Sequence, residues 1–458
     1  MKRILTALMA LLVVMSFAVT LIACDTGIDT GDDNKPPVTD KDGNTVVSIM
    51  VHVDRQSAEG KAYQKRVDAF NVAHAEKKIK ATITLKARTT GATSYETELN
   101  TMRMEGTLPD IITFDAPNCA SYAYNELLAD ISSLIPGDVQ SDFYSLNTYN
   151  GKLYGLPIQE SSAGFYYNKK LFAAAGIDVS AYTVENPWTF DQFKEVCAKL
   201  KNYLGNGKAV DMRLDATKDE TATYLLYPFI YAAGGSFTSA DGFTADGYLN
   251  STASKNGFRF LRDLVDAGYT SNAIGATDFF TGKVGMYLSS GWTIPDLDNK
   301  YRDTFASRDD WGLLPYPKGT TAASATGSWS FGITNNGKAD KSPAAELLLW
   351  MTSVESSKAI TDATGMIPAR KSVETNYQAG DPEYTLMKQL ELSGVARPAT
   401  VAYPNFSTAF SQIIYQISTG SVDDFMRTID AQTSSLQREM NSKKYFPRRL
   451  PPPGAWER

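Results

Sequence analysis

Residues 107–134 read TLPDIITFDAPNCASYAYNELLADISSL, and after a polar connection residues 150–178 read NGKLYGLPIQESSAGFYYNKKLFAAAGID. The first piece predicts a short apolar strand (Ile111, Ile112, Phe114), a loop tip (Asp115, Ala116, Pro117, Asn118) and then a helix carrying Leu127, Leu128 and Ile131. In open α/β sheets ligands sit just beyond the carboxyl ends of strands, so this tip is the first surface to inspect for binding.

Working toward the N-terminus, Val46–Val53 is rich in β-branched residues and predicts a strand with Asp54 and Arg55 at its end. A helical pattern through Tyr63, Val67 and Phe70 and a second strand in Ala81–Leu85 follow, which together predict a βαβ unit. Toward the C-terminus, Thr189 with Gln192 predicts a capping box ahead of Phe193, Val196 and Leu200, and Ser421 with Asp424 predicts another before a final amphipathic helix. Between them, Val284–Leu288 predicts a strand running into Ser289-Ser290-Gly291-Trp292, where glycine lets the backbone turn and present the ring toward a cleft.

Four elements, Pro109-Asp110-Ile111-Ile112, Leu127-Leu128-Ala129-Asp130-Ile131, Gly151-Lys152-Leu153-Tyr154-Gly155-Leu156-Pro157 and Tyr167-Asn168-Lys169, stand in an order and spacing that resembles the extracytoplasmic solute-binding proteins of ABC transporters, in the carbohydrate branch typified by maltose-binding protein. The likeness continues through Pro187-Trp188-Thr189-Phe190, Ala233-Gly234-Gly235, Gly282-Lys283-Val284-Gly285-Met286 and Gly365-Met366-Ile367-Pro368-Ala369-Arg370, and covers roughly residues 45 to 440. It implies an α/β, two-lobed periplasmic-binding-protein-like fold of type II, each lobe a mostly parallel sheet flanked by helices, with three crossings near 158–165, 325–330 and 365–370. The expected N-terminal lobe is 46–160 plus 296–328, and the expected C-terminal lobe is 161–295 plus 329–440. A basic, proline-rich tail, 441–458, is expected not to pack. The resemblance also implies that ligand closes the lobes by hinge bending and that a membrane permease recognises the closed form. Phe114 stands where the maltose branch has a tryptophan, Pro117 and Asn118 where it has an acidic–basic pair, and Ser161 where it has an acid, so architecture transfers further than ligand.

The length of 458 residues exceeds one ordinary core and predicts two or three domains. A formal charge of −6, or −8 without the leader that holds Lys2 and Arg3, supplies no basic face for phosphates, so nucleic acid is not an expected partner. Two histidines and three cysteines in no metal-ligand spacing leave zinc and redox chemistry little to work with, and no cofactor is expected. Residues 1–24 have a basic start, an apolar run and Leu21-Ile22-Ala23-Cys24, which resembles the bacterial lipobox; Cys24 is the expected lipidation site, and 25–45 the expected flexible tether. The expected setting is the outer face of the bacterial cytoplasmic membrane, with the chain a lipid-anchored monomer. Cys197 is expected on an apolar helix face, and a Cys119–Cys197 disulfide stays open.

For catalysis there is no G-x-S-x-G, H-E-x-x-H or G-x-x-x-x-G-K. Asp110 and Asp115 could be imagined as a glycosidase pair, but strand alternation sets odd and even positions on opposite faces, and Asp110 reads as a strand-start residue. What the chain offers is 11% aromatic residues, several beside Gly, Ser, Asn and Asp at strand ends. Sugars present flat C–H faces rimmed by hydroxyls, which ring stacking plus short polar groups can hold. The candidate ligand contacts are Arg55, Phe114, Asp115 and Asn118 on the first lobe, Glu160 and Ser161 at the first crossing, Tyr224, Trp292 and Trp329 near the second lobe or hinge, and Arg370 at the third crossing. Tyr224 and Trp292 match stacking positions of the resembled branch. The rival readings are a secreted carbohydrate-active enzyme and the same fold holding a non-sugar solute such as a peptide or polyamine.

Overall fold

The computed structural model describes residues 35–89, 94–216, 220–327 and 329–445. The leader with Cys24 and residues 446–458 lie outside these, as do 90–93, 217–219 and 328. Its strands are, in chain order, β1 Thr45–Val51, β2 Ile79–Leu85, β3 Ile111–Asp115, β4 Asn147–Tyr149, β5 Lys152–Pro157, β6 Gln159–Glu160, β7 Ala163–Asn168, β8 Lys208–Asp211, β9 Val284–Ser290, β10 Trp311–Leu314, β11 Ser324–Ala325, β12 Trp329–Ile333, β13 Ile367–Pro368 and β14 Gly394–Val395.

They sort into two main sheets, β2-β1-β3-β12-β5-β4 and β10-β7-β9-β8, each the centre of a lobe. The expected βαβ unit is present: β1 and β2 pair in parallel through the helix Ala58–Ala73. The sheets are mixed, not mostly parallel. Only β2-β1-β3 and β8-β9 run parallel, while β12 and β7 pair antiparallel with both neighbours. A parallel pair needs a long crossover back over the same sheet, and β12 instead enters the first sheet from the other lobe. That entry also corrects the lobe boundaries. Trp311–Leu314 pairs with β7 and belongs to the second lobe, while Trp329–Ile333 pairs with β3 and belongs to the first. An apolar run can add to either sheet, and its local pattern does not say which.

Each lobe has its own core. In the first, Val47, Ile49, Phe70, Ile111 and Phe331 pack against Leu347, Leu348 and Ile360 from the helices Ser342–Met351 and Val354–Thr364. In the second, Phe165, Trp188, Phe193, Phe229, Phe258 and Phe410 build an aromatic interior. The Thr189–Gln192 capping box opens the helix Phe190–Leu204, which buries Phe193, Val196, Cys197 and Leu200 on one face. Ser421 and Asp424 bond reciprocally ahead of the helix Val422–Tyr445, whose Phe425, Ile429, Leu436 and Met440 are buried. That helix carries residues 441–445, so the packed chain runs past the expected start of the tail. Cys119 and Cys197 are free, buried thiols in different cores.

Two further expectations are corrected. The helix after the loop tip ends at Tyr124, and Leu127, Leu128 and Ile131 follow as buried extended chain, with Leu128 bridged to Thr334. Residues 35–44 of the expected tether lie against the first lobe: Lys35 donates its N–H to the Gly337 carbonyl (2.9 Å), Val46 to Val38, and Asp40 accepts from the N–H groups of Asp42 and Asn44. A polar segment with little to bury can still dock when backbone groups of a neighbouring loop accept its donors.

Between β5 and β7, between β11 and β12, and at β13 the chain passes from lobe to lobe. These passages lie side by side, for β6 pairs antiparallel with β13, Glu160 opposite Ile367, and the Ser161 hydroxyl donates to the Gly327 carbonyl. Among the described residues no helix is long and apolar enough to cross a membrane.

Candidate functional site

Strand alternation sets the site's geometry at the end of β3. Phe114 turns into the first lobe's interior with Met50, Leu127 and Leu128, so tightly that a Cβ on Gly155 would meet its ring at 2.6 Å. Phe114 is therefore core and not a ligand contact. Asp115, one residue on, faces the other way and aligns with Trp329 of β12. Asp110 anchors the strand's start: it accepts from the Ser48 N–H (2.8 Å) and hydroxyl, from Asn336 (2.7 Å) and from Lys338 (2.7 Å).

The Asp115 carboxylate is held across the gap between the lobes. Arg397, two residues after β14 and on the second lobe, donates Nη1 to Oδ2 (2.8 Å) and Nη2 to Oδ1 (2.6 Å), a bidentate pair. The same Nη1 reaches Glu220 Oε1 (2.7 Å) at the start of the helix Glu220–Ala232. Glu220 also accepts from the Ser407 hydroxyl (2.5 Å) and from the Tyr403 hydroxyl. Burial works against the charge on Arg397, but Asp115, with Tyr403 and Glu220, holds its pKa well above the ordinary guanidinium value.

Beside this cluster lie the aromatics. The Arg397 guanidinium sits 5.2 Å from the Tyr224 ring centroid, and the Tyr224 hydroxyl donates to Ser161 Oγ (2.7 Å) on the first crossing. Burial pushes the Tyr224 hydroxyl up to about 12, so it stays a donor at neutral pH. The Trp292 ring lies 5.8 Å from that of Tyr224 at 45°, and 43% of Trp292 is exposed, unusual for a tryptophan. Gly291 makes this possible, because a Cβ there would meet the Gly365 carbonyl oxygen at 2.4 Å. Two buried polar atoms at this seam lack a partner among the described residues, Arg397 Nε and Ser162 Oγ.

Of the residues expected from sequence, Asp115, Ser161, Tyr224 and Trp292 come together. Trp329 stands next to Asp115 but is stacked on His52, ring centroids 3.3 Å apart and 5° from parallel. Asn118, half-buried, follows on the same loop tip. Glu160 is buried at the first crossing and bonded to Ser145; burial pushes its carboxyl up to about 7. Arg370 is committed elsewhere, its Nε to the Thr352 carbonyl (2.5 Å) and its Nη1 to Asp142 (3.1 Å), which makes it a brace of the third crossing and not a ligand contact. Arg55 is exposed beyond the end of β1. Sequence reasoning missed Arg397, Glu220, Tyr403 and Ser407. One signal was present: between Glu391 and Asp423, Arg397 is the only charged residue.

Residues 65–388 match the model of a family described as bacterial extracellular solute-binding protein. A Brucella abortus binding protein is 27% identical over 241 residues, 50% of this chain and 54% of that one. A Sinorhizobium fredii protein named "Probable amino-acid ABC transporter periplasmic-binding protein" is 29% identical over 306 residues, 62% of this chain and 61% of that one. The chain thus spans little more than half the length of the relatives it matches. Among solved structures, the cyclic α-maltosyl-1,6-maltose binding protein of Arthrobacter globiformis superposes with a TM-score of 0.71 at 24% identity, covering 87% of this chain and 100% of that one. The sugar-binding protein MalE of Xanthomonas citri gives 0.72 at 17% identity, covering 88% and 98%. UgpB of Mycobacterium tuberculosis, solved with glycerophosphocholine, gives 0.71 at 20% identity, covering 88% and 100%. At these identities the likeness establishes the two-lobed fold.

Proposed function

The chain belongs to the bacterial extracellular solute-binding proteins, and we propose that it captures a sugar or oligosaccharide between its lobes and delivers it to the permease of an ABC importer. The observation that carries this reading is the exposed Trp292 ring beside Tyr224, with the Asp115 carboxylate offered from the opposite lobe. An exposed indole face stacks on the C–H face of a pyranose, and carboxylate, guanidinium and hydroxyl groups around it accept from and donate to the sugar's rim. Several structurally similar proteins carry sugars in their descriptions, including maltose and maltotetraose, which supports the same class. The ligand is returned intact: the site's carboxylates are committed to Arg397 rather than poised as a separated acid and base.

We also place the chain at the outer face of the cytoplasmic membrane, anchored by lipid on Cys24. Labelled fatty acid should enter the wild-type protein and not Cys24→Ala; label that persists in the mutant contradicts the anchor.

The test of function is calorimetric titration of the purified protein with maltose, maltotetraose, tagatose, glycerophosphocholine and spermidine, followed by chromatography of the recovered ligand. Sugar binding with unchanged ligand is expected. Cleavage products would make it an enzyme, and binding of glycerophosphocholine or spermidine alone would make it a carrier of another solute.

A further inference from the structure

Asp115 from the first lobe and Glu220 from the second close on one guanidinium, and the three side chains are only 6%, 11% and 3% exposed. Two carboxylates against one cation leave the cluster one negative charge. The other groups bonded to Glu220, Tyr403 and Ser407, are hydroxyls that bring no charge to offset it, and the Arg88 guanidinium over the Trp329 ring is itself paired with Glu96 (3.1 Å). Both terminal nitrogens of Arg397 are occupied by carboxylate oxygens, whereas its Nε is buried without a partner. An unpaired buried donor is costly and is satisfied in most proteins by something.

Resting on the sugar reading above, we propose that Arg397 is a ligand contact and that the Asp115–Arg397–Glu220 cluster is the specificity filter of the cleft, admitting neutral sugars and rejecting acidic ones. A sugar hydroxyl is both donor and acceptor. Its oxygen accepts a hydrogen bond from Nε–H, and its O–H donates to the remaining lone pairs of the Asp115 carboxylate. A uronate, aldonate or phosphate in the same place would add a second negative charge where water is scarce and Coulomb repulsion is weakly screened. The guanidinium fork cannot answer that charge, because both its arms already hold carboxylates.

The experiment compares each of three neutral sugars, glucose, galactose and mannose, with its own uronic acid, which keeps the pyranose ring and carries a carboxylate in place of the C6 hydroxymethyl group. For those that bind, the wild type should prefer the neutral member by roughly 30-fold or more, which is about 2 kcal/mol at ~1.4 kcal/mol per tenfold. Glu220→Gln and Asp115→Asn each remove the surplus charge, and in either one the preference should shrink to within roughly threefold. Whichever of the two folds decides the matter. Arg397→Lys keeps the charge but loses Nε, so it should weaken the neutral sugar roughly tenfold and retain the preference. Equal affinity of the wild type for sugar and acid, or a preference unchanged in the charge variants, would overturn the filter while sugar binding stood. Binding of neither class would overturn the sugar reading and the filter with it.

Discussion

The two walls of the cleft each offer a tryptophan at a strand end, and they are built in opposite ways. On the first lobe Trp329 opens β12, is half-buried, and is already in use: neutral His52 stacks on it, Tyr95 meets it edge-on, and the Arg88 guanidinium lies 5.2 Å from its centroid. Burial, reinforced by Arg88, holds His52 well below the ordinary imidazole pKa, which favours that stack. On the second lobe Trp292 follows β9, has one aromatic neighbour among the described residues and leaves much of its surface to solvent. The difference teaches that a strand-end aromatic is free to serve as a binding face, as proposed for Trp292, only when its own lobe leaves the ring unclaimed. The first wall contributes a rigid, pre-stacked support for Asp115, and the second contributes the free face.

Removing the claimed ring should therefore cost stability. Trp329→Ala strips a packed aromatic from the first lobe and is expected to lower its unfolding free energy by about 3 kcal/mol, the low end for tryptophan because the ring is half-buried. Denaturant unfolding checks this. A change below about 1 kcal/mol would erase the contrast between the walls.

The crossing beneath the walls gives a pH signature. Glu160 has a folded pKa of about 7, above the ordinary carboxyl value of 4.5. Folding therefore favours its protonated form. The stabilisation is full below about pH 4.5 and is lost as pH rises toward and through 7. Between pH 5 and 6.5 the folded chain holds about one more proton than the unfolded one, so stability should fall by roughly 2 kcal/mol from this group. Melting scans of Glu160→Gln against wild type should show a flatter profile over that range, and parallel profiles would remove Glu160 as the source. A smaller effect is expected of Tyr224→Phe, which deletes the bond to Ser161 but keeps the ring: about 1 kcal/mol in stability, with sugar binding weakened severalfold. A loss as large as that of the whole ring would mean that the hydroxyl, rather than the ring beside Trp292, carries the contact.

Single elements were legible because their signals are local: apolar strand runs, capping residues at Thr189 and Ser421, and the βαβ spacing near the start; the two-lobed arrangement was implied only by the family resemblance of the ordered motifs between Pro109 and Arg370. Asp115 was singled out as a strand end and Trp292 as the residue after a glycine turn, whereas Tyr224 and Ser161 followed from the family resemblance; the structure brings the four side chains together. Phe114 was misplaced by ignoring the same alternation that separates it from Asp115. Which lobe takes β10 and β12 depends on pairing between segments far apart in sequence, and that pairing leaves no mark within either segment. Arg397 meets Asp115 across 282 residues, so only its isolation in an uncharged stretch hinted at it.

The claim that the lobes hold a sugar on the free tryptophan is tested most directly by calorimetric titration of Trp292→Ala beside wild type, with apo melting temperature taken on the same samples. If ligand covers about 100 Å² of ring, burial at ~25 cal/mol/Å² contributes about 2.5 kcal/mol. The account then predicts sugar affinity weaker by roughly 70-fold or more, at ~1.4 kcal/mol per tenfold, with an almost unchanged melting temperature. Near-normal affinity together with a large drop in melting temperature would show that Trp292 is packing and would contradict the account.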